Sequence, residues 1–239
     1  MEKLLAELKD KLLAAAGANL KAIVLFGSAA RGEYHERHSD LNILCVLKRA
    51  GADELEALHE TSVWWERKKF PAPQVFTLDE LRASADIFAI ELLDMKAHHK
   101  MIYGEDFFEE LPVPMRLHRL QVERELRTNW VKLRQAILLA PQKDQVLLGL
   151  MDASVSTFVT LFRHALIALG ENPPAGRREV VTVIARLVGS QPGSFFAVLD
   201  VREGKRPPRE INARSTLRDY LELIERVTDE VDRRLANAE

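Results

Sequence analysis

The chain has little of what several protein classes depend on. It contains a single cysteine, Cys45, in 239 residues, which excludes an internal disulfide and a cysteine-rich zinc cage. No run approaches the roughly 18 consecutive apolar residues of a membrane span. The opening MEKLLAELKDKLL is a charged amphipathic pattern without the apolar centre of a secretory signal, so a cytoplasmic setting is expected. Net charge is scarce too: 34 basic against 36 acidic side chains leave −2, which excludes a globally basic grip on nucleic acid. What remains is an ordinary globular composition, 47% apolar and 29% charged, with length for two small domains.

The small net charge conceals two unlike halves. Cut at Pro112, residues 1–112 hold 14 basic and 20 acidic side chains, a net of −6, and residues 113–239 hold 20 and 16, a net of +4. The first half alternates helical and strand patterns. Leu4, Leu5, Leu8, Leu12 and Leu13 repeat at helical spacing up to Gly17. AIVLF (Ala22 to Phe26) and LNILCVL (Leu41 to Leu47) are short branched runs of the kind buried on both faces of a sheet, and PQVFTL (Pro73 to Leu78) reads as a third strand. Asp53 to Trp65 reads as a helix, and a further helix starts at Leu78. The second half shows four long helical patterns, Arg116–Leu139, Val146–Leu169, Glu179–Val188 and Ser215–Leu235, separated by glycine and proline. The expected fold is α+β: a mixed sheet with helices over residues 1–112, then an antiparallel all-α bundle over 113–239.

The most informative stretch is FGSAARGEYHERHSDLN, Phe26 to Asn42. Gly27 directly after a buried strand lets the backbone turn and approach a ligand closely. Ser28 supplies a hydroxyl and, if it caps a following helix, adds the positive helix end to an anion site. Arg31 stands where a guanidinium can clamp phosphate. Asp40, at the mouth of the next strand, faces that cradle, and a carboxylate opposite phosphates points to a divalent cation, magnesium first. Singly, each of these residues is an ordinary turn or loop residue; together, with a strand on either side, they point to a phosphate site.

LFGSAARGE (Leu25 to Glu33) followed by SDLNILCVL (Ser39 to Leu47) resembles the nucleotidyltransferase superfamily, the fold shared by polymerase beta, kanamycin nucleotidyltransferases and minimal nucleotidyltransferases. The resemblance covers about the first hundred residues. It implies transfer of a nucleoside monophosphate from a triphosphate to a hydroxyl, with Gly27, Ser28 and Arg31 binding the nucleotide and Asp40 binding metal. It also implies three catalytic carboxylates, and here the chain departs: Asp40 matches the first, but Asn42 stands at the second position and Gln74 at the third. An amide offers a neutral oxygen and cannot bridge two metal ions. The expected outcome is a weakened magnesium site and weak or absent catalysis.

Other residues carry two readings each. Glu91 and Asp94 are candidate replacement ligands, although carboxylates three apart on a helix are most often a solvated face. Glu33 and Glu36 lie in the loop, as do His35 and His38, which are either metal or phosphate contacts or plain solvated side chains. His98 and His99, taken as helical neighbours, diverge, so they make a poor shared metal site and suit a surface or interdomain role. Trp64 and Trp65 pack on the sheet or stack on a base, and Cys45 is a core residue. The bundle is similar by helix pattern to those accompanying kanamycin-type enzymes and to the HEPN partners of minimal nucleotidyltransferases. Neither His118 nor His164 has the arginine four to six residues before it that HEPN ribonucleases carry. Arg177, Arg178, Arg202, Lys205, Arg206 and Arg209 either face a phosphate-bearing ligand or form a solvated loop. Rival functions are a non-catalytic nucleotide sensor or protein-docking module, antitoxin-like or homodimeric, and an aminoglycoside-type transferase.

Overall fold

Leu20–Phe26 forms β1, and only Lys21 among its first six residues reaches solvent, because the strand is covered on both faces. The computed structural model describes residues 1–32 and 40–236 of the chain; Glu33, His35, Glu36 and His38 fall outside the described residues. β1 is central in a four-stranded mixed sheet of order β3-β2-β1-β4, where β2 is Asn42–Leu47, β3 Gln74–Thr77 and β4 His99–Tyr103. β2 and β4 run antiparallel to β1, and β3 runs parallel to β2.

One face of the sheet is covered by α1 (Glu2–Ala16) and α2 (Ala52–Arg67). Leu8, Leu12, Ile23, Ile43, Cys45 and Trp65 form that cluster, and each fully buried large apolar side chain contributes about 2 kcal/mol. Trp65 is buried, whereas Trp64 lies beside the ammonium groups of Lys11 and Lys68, 5.0 and 5.8 Å from its ring centre. The other face packs Val24, Leu44 and Val46 against Leu81, Leu92 and Met95 of α3 (Leu78–Ala83) and α4 (Ala89–Ala97). α3 starts on a reciprocal cap: Thr77 Oγ1 accepts from the Glu80 N–H, and the Thr77 N–H donates to the Glu80 carboxylate.

Cys45 sits opposite Ile23 in the ladder, and burial pushes its thiol up to about 12. A thiol held neutral is a poor nucleophile. Native protein is therefore expected to resist alkylation by iodoacetamide at pH 8 and to label fully once unfolded in guanidinium; fast labelling of the native chain would contradict this burial.

The chain divides into two compact units, Met1–Pro114 and Met115–Glu239. The second is all helical: α5 (Met115–Leu139), α6 (Asp144–Ala168), α7 (Arg177–Leu187), α8 (Gly193–Arg202) and α9 (Ala213–Ala236). α6 is long and apolar enough to cross a membrane by length and composition. In this fold its apolar positions pack against α5, α7, α8 and α9. Phe158, Phe162, Phe195 and Tyr220 form the aromatic centre, with Phe195 and Tyr220 stacked at 4.2 Å. Tyr220 completes its polar end on Ser154 Oγ at 3.0 Å. The fully buried rings of His118 and His164 meet through Nε2 and Nδ1 at 3.0 Å.

Two elements correct the expectations. α8 is a fifth helix where four were expected, because Pro192 and Gly193 open a helix instead of only ending one: Pro192 lacks an N–H, which a helix start does not need. β4 is a fourth strand, and it overturns the reading of His98 and His99 as helical neighbours. His98 ends α4, and His99 begins β4.

Candidate functional site

The end of β1 delivers Phe26 between two strands: Asn42 of β2 is its partner on one side and His99 of β4 on the other. Immediately afterwards the backbone turns left-handed at Gly27, φ +76°. A Cβ built there would stand 2.9 Å from Asn42 Nδ2, so both the turn and the space require glycine. Residues Gly27–Ala29 form a single 3₁₀ turn, and the N–H groups of Ala30 and Arg31 both reach the Gly27 carbonyl at 3.2 Å. This corrects the expected capping role of Ser28. Among the described residues the helix after β1 is one short turn whose N-cap is Phe26, without a side-chain cap bond. Ser28 is half-buried.

Asn42 is the first residue of β2 and half-buried, its side chain against Gly27. Gln74 begins β3, exposed, in register with Leu44. Since strand residues alternate faces, Asn42, Leu44 and Gln74 share the side of the sheet covered by α3 and α4. Asp40 is exposed and precedes the β2 ladder by two residues.

Arg31 is engaged. Its Nη1 donates to Asp94 Oδ2 at 2.8 Å, with the two side chains 12% and 18% exposed. The reading of Asp94 as part of a solvated face is thereby corrected, whereas Glu91 is exposed. The signal for Asp94 was present: it lies one turn after buried Ile90, on an apolar face. His99, expected at a surface or between domains, is mostly shielded from solvent. Its Nδ1 lies 2.7 Å from the Met95 carbonyl and its Nε2 2.8 Å from Asp106. The Phe108 N–H, followed by His99, holds the Asp106 carboxyl below its usual range.

Of the basic segment read either as phosphate-facing or as a solvated loop, four side chains have acidic partners. Arg178 bonds Asp200 and Glu203 at 2.7 and 2.9 Å, Lys205 bonds Glu203, Arg206 lies near Glu210, and Arg202 bonds Asp152. Arg202 belongs to α8, not to a loop.

Comparison with known proteins places this geometry. Residues 1–93 match the family model of the nucleotidyltransferase domain. Among solved structures, the spectinomycin adenyltransferase AAD(9) from Enterococcus faecialis, with ATP and spectinomycin, is similar over 94% of this chain and 98% of that chain, at TM-score 0.57 and 16% identity. A toxin–antitoxin structure with AMP-PNP is similar over 44% of this chain and 77% of that one, at 21% identity and a TM-score of 0.31, too low to bear on the fold. No curated protein matches the chain. The nucleotidyltransferase match is confined to residues 1–93, and the α+β fold of the chain is the one shared with the adenyltransferase.

Nucleotidyltransferases of this kind generally use divalent metals. Magnesium prefers several hard, charged oxygens, and the three positions expected to supply them hold one carboxylate, Asp40, and two amides. Among the described residues no three His, Cys, Asp or Glu side chains converge as a metal cluster. Asp40, Asn42 and Gln74 by themselves bring one charged donor group, fewer than a two-metal centre takes.

Proposed function

We propose that the first domain binds a nucleoside triphosphate by its phosphates at Gly27, Ser28 and Arg31, and that nucleotidyl transfer by this site is slow. The observation that carries this reading is the amide side chain of Asn42 beside the Gly27 turn, near enough to leave no room for a Cβ there, with Asp40 as the one carboxylate among the three expected catalytic positions. Backbone amides and a guanidinium suffice to bind phosphate, whereas losing electrostatic elements of a transfer site typically costs about 10²–10³ in rate apiece.

Restoration tests it. The Asn42→Asp, Gln74→Glu double variant is expected to raise chelator-sensitive transfer of labelled nucleotide by at least about tenfold over the natural chain. Spectinomycin, named with the adenyltransferase above, is one acceptor to include, beside a cell lysate. Calorimetric titration should show ATP bound by both proteins, and Asp40→Ala should abolish whatever transfer is chelator-sensitive. Absence of ATP binding to the natural chain would sink the reading.

A second reading, a non-catalytic module that senses a nucleotide or docks a protein or a second copy, is favoured by the same two amides. It predicts no transfer even after both carboxylates are restored, with ATP bound if the module is a nucleotide sensor.

A further inference from the structure

Arg31 and Asp94 are 63 residues apart in sequence, yet they form one of the least exposed ion pairs in the described chain. Pairs such as Arg82–Asp79 or Arg233–Glu230 keep at least one partner largely in solvent, where an ion pair contributes little. At 12% and 18% exposure the Arg31–Asp94 attraction is less screened, and it fixes a side chain that otherwise carries much rotamer freedom.

The placement is specific. Arg31 closes the turn that begins at Gly27, its own N–H bonded to the Gly27 carbonyl. Asp94 lies in the last turns of α4, and its carbonyl accepts the N–H of His98, where that helix stops. The next residue, His99, pairs with Phe26, the residue just before Gly27. The junction of α4 and β4 is thus bound to the Gly27 loop twice, through the strand ladder before Gly27 and through the Asp94 carboxylate after it.

We propose that Asp94 is a positioning residue of the nucleotide site: it holds the Arg31 guanidinium in one orientation at the phosphate loop, so that binding a triphosphate does not have to order that side chain. The inference rests on the nucleotide-binding reading above and adds a residue to it. Preorganisation of this kind raises affinity by removing an ordering cost. In this role Asp94 acts through Arg31, whose guanidinium it holds, because a carboxylate has no favourable direct contact of its own with phosphate.

A double-mutant cycle read by ATP titration tests it. Arg31→Gln and Asp94→Asn are each expected to weaken ATP binding by about tenfold, and the double variant to bind within about twofold of Arg31→Gln alone, since neighbours that act as a unit are not additive. Asp94→Glu, which keeps the charge, should recover part of the loss. Thermal unfolding of each variant, followed in parallel, separates lost affinity from lost fold. Additive losses, unchanged affinity in Asp94→Asn, or tighter binding in it would each overturn the proposal, the last by making Asp94 a competitor of the phosphates. If the natural chain binds no ATP while every variant folds, the nucleotide-binding reading fails instead.

Discussion

Gly27→Val is expected to destabilise the first domain by about 2–3 kcal/mol and to weaken ATP binding by at least about tenfold. Two costs combine. A branched residue at φ +76° sits in a region that L-residues with a bulky Cβ seldom enter, about 1–2 kcal/mol on its own. The new Cβ, 2.9 Å from Asn42 Nδ2, also has to push that amide away from the turn and disturb the start of β2. Gly32→Ala is the control: it shares the left-handed backbone, φ +75°, but has no described atom within 4 Å of the added carbon. It should show the backbone cost alone, about 1 kcal/mol. Thermal unfolding and ATP titration of both variants distinguish the outcomes. A Gly27→Val protein that melts and binds as the natural chain does would show that the close approach is not needed.

The second large effect is a loss of stability in acid that originates in the helical unit. His118 is fully buried, its Nε2 is committed to His164, and its Nδ1 has no hydrogen-bond partner among the described residues. Burial first, then the charges of His164 and Arg119, lower its pKa from 6.5 to about 4. The native state thus resists a proton that the unfolded chain accepts readily. Stability from this residue is fully present above pH 6.5 and is lost as pH falls from 6.5 toward 4. The full effect is on the order of 3 kcal/mol, from a shift of about two and a half units at 1.36 kcal/mol each. Denaturant unfolding followed by helical circular dichroism at pH 7.5 and pH 4.5 should show this decline, and His118→Leu, an apolar side chain that fills the site, should flatten most of it. Parallel pH curves for the two proteins would refute the assignment.

The strands β1 and β2 were legible because both are unbroken branched runs with turn residues on each side, a pattern few other elements produce. Gly27 and Asp40 fall at strand ends for the same reason, Gly27 directly after β1 and Asp40 two residues before β2. β4 was not, because HKMIY is short, polar at its start and attached directly to α4, so nothing punctuates the change from helix to strand. α8 was hidden by Pro192 and Gly193, residues that break a helix interior and also begin a helix. The partner of Arg31 could not be read from spacing at all. An ion pair between residues 31 and 94 depends on a strand crossing the sheet, and no local pattern encodes it.

The double attachment of the Gly27 loop also has a consequence for how the domain is made. The family match stops at residue 93, one residue before Asp94 and six before the start of β4. Asp94 and β4, which hold the glycine turn from the far side, come after α1, α2, α3 and the other three strands in the chain. Holding the turn therefore takes contacts more than sixty residues distant in sequence, and long-range contacts of this kind carry the loop-closure cost that slows folding. A turn that looks local in the sequence is thus held by the far end of its own domain.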